Sequence, residues 1–578
     1  MPHIQPRTYP ARTAQHLINT GMSPLLARIY AARDIAEITQ LNTDLRGLLP
    51  FTLLKNASDM AVILADAISM QRNILIVADY DADGATACAV GLRGLRAMGA
   101  KVSFIVPNRF EYGYGLTPEI VRLAAGGGDS SHTHKPDIIL TVDNGISSVE
   151  GVAEATRLGI EVLITDHHLP GDTLPDARCI VNPNQHGCTF PSKNLAGVGV
   201  MFYVLLALRA ELRARGAFSS PSTPALTTPV KKEPNLAELL DIVALGTVAD
   251  VVKLDENNRI LVQQGLQRIR AGRACAGIQA ILAVARKDPA KTSAYELGFV
   301  VGPRLNAAGR LDDISLGIQC LTTDDAALAT AIAAQLDTLN HERRAIEADM
   351  QQAALLALES VNPADNYSLT LFDASWHQGV IGILASRLKD KFHRPTIAFA
   401  RSLAGEIKGS GRSIAGLHLR DALDLIAKQH PHLLQKFGGH AMAAGLSLRE
   451  EHFAEFQLAF ETVVQSLITP AHLNKIIETD GALNLPEFSL DIAHSLAQQV
   501  WGQGFPPPIF NNHFTVKNQR VVGEKHLKLK LALGNAAFDA IMFFNIAPMP
   551  EKIHAAYKLS VNEYNGNTTL QLILEHWE

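Results

Sequence analysis

Between residues 73 and 166 the sequence repeats one device: a six-residue apolar or β-branched run, too short for a buried helix, that stops abruptly on polar or acidic residues. The runs are NILIVA (73–78), KVSFIV (101–106), DIILTV (137–142) and IEVLIT (160–165), with helical patterns over residues 85–98 and 149–158 between them. Continuous apolar strands alternating with helices predict a parallel sheet covered on both faces. That prediction also says where to look for chemistry. In an open α/β sheet, ligands bind outside the carboxyl ends of the strands.

The carboxylates fall at those ends. NILIVA runs into DYDADG, which supplies Asp79, Asp81 and Asp83; DIILTV runs into Asp143-Asn144-Gly145; IEVLIT runs into Asp166-His167-His168. Asp250 closes a further apolar run, DIVALGTVAD, and can join them. A single Asp after a strand usually caps the next helix, Asp-Gly is often only a turn, and paired histidines are usually surface residues. Four or more carboxylates converging on one crevice are different, because they repel unless protonated or neutralised. Divalent cations neutralise them most simply. Oxygen donors with one or two imidazoles favour Mn²⁺ or Mg²⁺, and this number of ligands suits two ions about 3.5–4 Å apart that clamp a phosphoryl group. A metal-dependent phosphoryl hydrolase follows, with the ester left open.

At 578 residues the chain has room for several domains, and 47% hydrophobic with 19% charged residues excludes collagen-like, coiled-coil and wholly disordered architectures. Lys and Arg number 52 against 57 Asp and Glu, a net charge of −5, so any nucleic-acid contact must come from a local patch. The five cysteines are scattered, which fits a reducing compartment and no CxxC-type zinc site. The opening residues lack a signal-peptide core, and the longest uncharged apolar stretch, residues 195–208, is short for a membrane span; a cytoplasmic protein without membrane association is expected. Residues 126–135 and 209–234 read as polar insertions, and residues 323–360 as a long helix bridging domains. An α/β pattern restarts at 368–372, 380–388 and 396–399. Runs at 510–522, 527–533, 537–544 and 555–572 have the texture of a small β-barrel.

The DYDADG and TDHHLP segments resemble the DHH phosphoesterase superfamily. Adding VPNRFEYGYGLTPEIV (106–121), LAGVGVMFYVLLALR (195–209), LDIVALGTVADVV (240–252), GPRLNAAGRLDD (302–313), WHQGVIGILASRL (376–388), GSGRSIAGLHL (409–419) and GGHAMAAG (438–445), the chain resembles the RecJ family from about residue 48 onward. Lys253 stands where that family often has Pro, a departure that touches no catalytic position. The resemblance implies an N-terminal extension (1–47), a parallel-sheet DHH domain (48–322, insertion 209–234), a connecting helix (323–360), a smaller α/β DHH-associated domain (361–469) and a C-terminal OB-type β-barrel (470–578).

It also implies residue roles. Asp81, Asp83, Asp143, His167 and Asp250 match the ligands of a dinuclear centre holding two Mn²⁺ or Mg²⁺, with Asp143 bridging and Asp79 either touching metal or supporting it. His168 is expected to face substrate, oriented through Asp166. For substrate, Arg109 follows the second strand at the acidic sheet edge; Arg304, Asn306 and Arg310 combine cations and an amide; Ser410, Arg412 and Ser413 sit among glycines suited to a terminal phosphate. Gly438, Gly439 and His440 resemble the family's substrate turn. Lys517, Arg520, Lys525, Lys528 and Lys530 against Glu524 form a local patch of +4, suited to tracking a single strand.

The expected activity is 5′-to-3′ hydrolysis of single-stranded DNA to 5′-mononucleotides, in repair and recombination. The expected partners are a single-stranded-DNA-binding protein and a helicase, with the enzyme monomeric. A phosphodiesterase for short oligonucleotides and a non-catalytic DHH scaffold are the alternatives. The first lacks the terminal barrel. The second is expected to lose metal carboxylates, which this chain keeps.

Overall fold

The computed structural model describes all residues except 1, 108–111, 113–114, 127–134, 219–231, 360–362, 403–404 and 565. The chain forms two compact units, one of residues 8–340 with 489–508, the other of residues 1–7, 341–488 and 509–578. The first strand, β1 (His3–Pro6), belongs to the second of these.

In the first unit, β2 (Asn73–Ala78), β3 (Lys101–Ile105), β4 (Ile138–Val142), β5 (Glu161–Thr165) and β6 (Cys179–Val181) make an all-parallel sheet in the order β3-β2-β4-β5-β6. The chain leaves β2 to one side for β3, then crosses to the other for β4. The carboxyl ends of β2 and β4 therefore flank a topological switch point, where side chains from two strands can face one ligand. Alternation along the strands sorts the core. Ile74, Ile76, Ile138, Leu140 and Leu163 pack with the helices Ala82–Met98, Gly197–Ala214 and Leu240–Ala249. Leu75, Val77, Ile139, Val162 and Ile164 pack on the opposite face with helices Pro118–Ala124 and Val149–Arg157. Each such fully buried Leu, Ile or Val contributes roughly 1.5–3 kcal/mol. The inner strands β2, β4 and β5 thus have no wet face, as their unbroken apolar runs require, whereas the edge strand β3 is only partly covered.

Residues 489–508 return to this unit although their neighbours in sequence do not. Leu254 N donates to Gln503 O at 2.8 Å, Arg33 Nε donates to Pro506 O at 2.8 Å, and the rings of Tyr30, Trp501 and Phe505 stack on one another with centroids 5.2–6.3 Å apart. The predicted bridge is a 34-residue helix, Ala326–Glu359.

In the second unit, β7 (Leu369–Phe372), β8 (Thr396–Arg401), β9 (Glu406–Arg412), β10 (Lys436–Gly439) and β11 (Ala443–Arg449) form a mixed sheet ordered β10-β11-β9-β8-β7, with helices Ile381–Phe392, Leu419–Gln429 and Phe453–Leu467. Next, β12 (Ile476–Thr479) pairs in parallel with β1. A closed barrel follows, built from β13 (Phe510–Val522), β14 (His526–Leu533), β15 (Ala536–Met542), β16 (Lys552–Tyr564) and β17 (Asn567–Trp577) in the order β13-β14-β15-β17-β16. The run read at 555–572 is two strands, split by the turn before Asn567, and β13 and β16 are each 13 residues long. Among the described residues no single helix is long and apolar enough to cross a membrane.

Candidate metal centre

The loop after β2 is shaped by its own acids. Asp81 caps the Ala82–Met98 helix, its Oδ1 accepting from Asp83 N at 2.9 Å and Gly84 N at 3.1 Å. Asp83 is held by the start of another helix: Gly197 N donates to its Oδ2 at 2.6 Å and Val198 N to its Oδ1 at 2.9 Å. At the end of β4, Asp143 adopts a left-handed backbone, φ 62°. That conformation is uncommon outside glycine and concentrates at functional sites.

Two glycines let helices approach the acids. A Cβ at Gly197 would lie 2.6 Å from Asp143 Cβ and Oδ1, and one at Gly246 would lie 2.1 Å from Thr86 Oγ1 and 3.1 Å from Asp83 Oδ1. Gly246 belongs to helix Leu240–Ala249, whose last turn delivers Asp250. The sequence places Asp250 at the close of an apolar run without fixing whether that run is strand or helix, because a continuous apolar run carries no period to separate the two. It comes from a helix C-terminus.

These elements converge. His167 Nε2 lies 3.1 Å from Asp143 Oδ1, 3.5 Å from Asp250 Oδ2 and 3.8 Å from Asp83 Oδ2. Three overlapping sets each bring one donor atom per residue within 4.8 Å of the others: Asp83-His167-Asp250, Asp79-Asp81-Asp143, and Asp143-His167-His168. Asp143 and His167 are the shared members.

The electrostatics match. Burial first, and then the Asp81 charge, pushes Asp79 well above the usual carboxylate range and Asp83 up to about 7. Burial and the neighbouring acids, Asp83 foremost, do the same to Asp143 and Asp250. Asp143 Oδ1 is buried without a hydrogen bond. A buried carboxylate oxygen left in that state is costly unless a cation meets it. With oxygens from five acids and one or two ring nitrogens, the donor set fits hard divalent cations.

Asp166 behaves differently. Its Oδ1 accepts from His167 N, His168 N and His168 Nδ1 at 2.7, 3.0 and 2.7 Å, and its Oδ2 accepts from Ile146 N at 2.9 Å. Burial opposes its charge, but these donors outweigh burial and hold it below the usual range. For His168, burial alone would favour the neutral ring; the Asp166 hydrogen bond and charge reverse this and raise it to about 9.

A family profile described as "DHH family, N-terminal domain" matches residues 73–247, "DHHA1 domain" matches 365–466, and "RecJ OB domain" matches 479–576. The single-stranded-DNA-specific exonuclease RecJ of Dickeya dadantii is 49% identical over 98% of this chain and 97% of its own length. The Escherichia coli protein of the same name is 47% identical, over 96% of each chain. The chain belongs to the RecJ family. Its fold superposes on the crystal structure of Thermus thermophilus RecJ in complex with Mn²⁺ with a TM-score of 0.80 at 29% identity, covering all of this chain and 79% of that one. The Mg²⁺ complex of the same protein gives 0.76 at 28% identity, with 100% and 78% covered.

Three asparagines that the strand-end pattern of acids does not include brace the site. Asn144 Nδ2 donates to Val77 O at 3.2 Å and Val142 O at 2.9 Å, stitching β2 to β4 beside the acids. Asn182 and Asn184, just past β6, donate to His168 O at 2.9 Å and His167 O at 2.6 Å. Their signal was available, since Asn-Pro-Asn closes another strand at the same sheet edge.

The substrate residues divide. Arg109 lies outside the described residues. Arg304 is buried, its Nε donating to Asp337 Oδ1 at 2.9 Å and its Nη1 to Val300 O at 2.7 Å, so its guanidinium anchors its own helix. Asn306 Oδ1 accepts from Ala82 N at 2.9 Å and steadies the acidic loop. Arg310, in the same helix, is half-buried.

In the second unit, Ser413 Oγ donates inward to Leu417 O at 2.9 Å, whereas Ser410 and Arg412 point from one face of β9. Register sets Ser410 opposite Gly445, and Gly445 opposite Gly438. A Cβ at either glycine would meet open space. Gly439, φ 138°, and His440 continue the same edge. Gly382, at the start of helix Ile381–Phe392, closes in on this face, because a Cβ there would lie 2.9 Å from Ser410 Oγ.

On the barrel, Arg520 and Lys528 face each other across β13 and β14, and Lys517, Arg520 and Lys525 are exposed. Lys530 Nζ is 3.3 Å from Asp539 Oδ1, which removes it from the free positive surface.

Proposed function

We propose that this chain hydrolyses single-stranded DNA from its 5′ end to 5′-mononucleotides, as an exonuclease of repair and recombination. The observation that carries the reading is the convergence of Asp79, Asp81, Asp83, Asp143, His167 and Asp250 at the switch point of a RecJ fold. Two Mn²⁺ or Mg²⁺ ions held by these residues would neutralise charge at the scissile phosphate and activate the attacking water. Asp143, a carboxylate common to two of the ligand sets, is the group suited to bridging, and His167 would serve as a single-nitrogen ligand.

Asp166 favours the protonated His168 ring by hydrogen bond and charge and occupies its Nδ1, so the opposite nitrogen can donate to a phosphoryl oxygen or to the leaving group. Ser410 and Arg412 over the Gly438–Gly445 floor suit the terminal phosphate. Arg412 Nη1 donates to Ser410 Oγ at 3.2 Å and to Gly411 O at 2.8 Å, and among the described residues no carboxylate pairs with the guanidinium. The exposed barrel cations suit the strand downstream.

An enzyme confined to single strands needs an unwinding activity to feed it, so a helicase and a single-stranded-DNA-binding protein are its partners in the cytoplasm, where it acts as a monomer. The test uses 5′- and 3′-labelled single strands and duplexes with Mn²⁺, Mg²⁺ or chelator. Release from 5′ ends of single strands alone, abolished by chelator, is expected. Digestion from both ends overturns the polarity, and activity in chelator overturns the metal reading.

A further inference from the structure

The second unit carries a second group of metal-ligating side chains that shares no residue with the carboxylate centre. His430 and His432 flank Pro431 just past helix Leu419–Gln429, while His452 and Glu455 stand where the turn Glu450–His452 runs into helix Phe453–Leu467. His432 Nε2 lies 3.1 and 3.3 Å from the two oxygens of Glu455, and His430 Nδ1 lies 3.9 Å from Glu455 Oε1. The His432 ring meets that of His452 edge-on with centroids 5.4 Å apart. One donor atom from each of His432, His452 and Glu455 falls within 4.8 Å of the others. Glu451, 4.0 Å from His452 Nε2, adds a second carboxylate beside them. Among the described residues Glu455 has no lysine or arginine partner; only imidazoles face it.

Donors about 2.0–2.1 Å from a tetrahedral ion stand roughly 3.3 Å from one another. The His432–Glu455 separation already has that value, and the rings converge on the same carboxylate from two distant stretches of chain. A hydrogen bond to Glu455 would need one imidazole, whereas three are gathered. An imidazole-rich set also selects a different ion from the oxygen-rich centre, favouring Zn²⁺ over Mn²⁺ or Mg²⁺.

We propose that His432, His452 and Glu455, with His430 in reach as a fourth donor, form a Zn²⁺ site. The ion clamps the turn at residues 430–432 to the start of helix Phe453–Leu467. That turn leads directly into β10, whose pairing with β11 holds Gly438 and Gly439. Bound Zn²⁺ therefore stiffens the strand that carries the glycine turn.

Equilibrium dialysis of the full chain against Zn²⁺, with metal analysis, tests this. The wild type is expected to hold one more Zn²⁺ than the His432→Gln/His452→Gln variant, and an Asp81→Asn/Asp143→Asn variant is expected to keep the difference. Glutamine still donates a hydrogen bond to Glu455, so a purely hydrogen-bonding role predicts no change. Co²⁺ substituted for Zn²⁺ is expected to show tetrahedral visible absorption that depends on both histidines, and Zn²⁺ to raise the melting temperature only when they are present. Equal Zn²⁺ content with and without the two imidazoles, or a melting shift indifferent to them, overturns the proposal.

Discussion

Asp81 performs two tasks with one carboxylate, capping the Ala82–Met98 helix and facing Asp79 and Asp143. The tasks separate by substitution. Asp81→Ala is expected to lose both, lowering stability by about 1 kcal/mol; Asp81→Asn keeps the cap. Both should reduce turnover by more than ~100-fold, the upper range for merely supporting residues, while urea titration distinguishes them.

Protons provide a second handle at this scale. Asp83 sits near 7 without metal, and His168 near 9, both above their unfolded values. The folded, metal-free protein therefore binds more protons than the unfolded chain between pH 6 and 8, and its stability should fall as pH rises through that window. Metal binding requires the carboxylates ionised, so Mn²⁺ should expel protons at pH 7 and bind more weakly at pH 6. Calorimetry in buffers of different ionisation enthalpy measures this, and an absence of proton release would contradict the burial-driven shifts. Residue types at the metal centre were legible from their placement at strand ends. Direction was not: Arg304 looked like a phosphate contact, yet it turns to Asp337, which no spacing in GPRLNAAGR could disclose.

At the scale of elements, the centre depends on helices brought unusually close to carboxylates. Gly197→Ala would push a methyl into the Asp143 side chain. It should cost roughly 1–3 kcal/mol and weaken Mn²⁺ affinity, readable by thermal unfolding and titration; unchanged affinity would mean the approach is not constraining. The parallel sheet was readable because both its faces are buried, which forces unbroken β-branched runs bounded by punctuation. The ten-residue run ending at Asp250 satisfied the same pattern while being a helix, since full burial erases amphipathic period in either element. The barrel was readable as texture, and the Asn-Gly pair at 565–566 carried a hairpin signal that the single run 555–572 passed over. Across β13 and β14, the paired Arg520 and Lys528 repel each other. Replacing either by Gln should stabilise the barrel slightly while weakening single-strand binding and flattening its salt dependence by about one unit of slope.

For the whole molecule, the interleaving of distant segments makes the point of truncation decisive. A chain ending at residue 508 keeps Trp501 and Phe505 stacked on Tyr30. It is expected to retain cleavage of very short oligonucleotides while losing degradation of long strands. Ending at residue 488 removes those rings and the hydrogen bonds to Leu254 N and Arg33, which should lower the melting temperature of the unit that holds the carboxylates. The parallel pairing of β1 with β12 has a further consequence for biosynthesis. Residues 3–6 are synthesised long before their hydrogen-bonding partners, residues 476–479. Until those partners are made, the early strand has bare N–H and C=O groups and cannot be placed. The order of synthesis and the order of assembly are thus opposed in this chain, and completion of the fold is a late, long-range event.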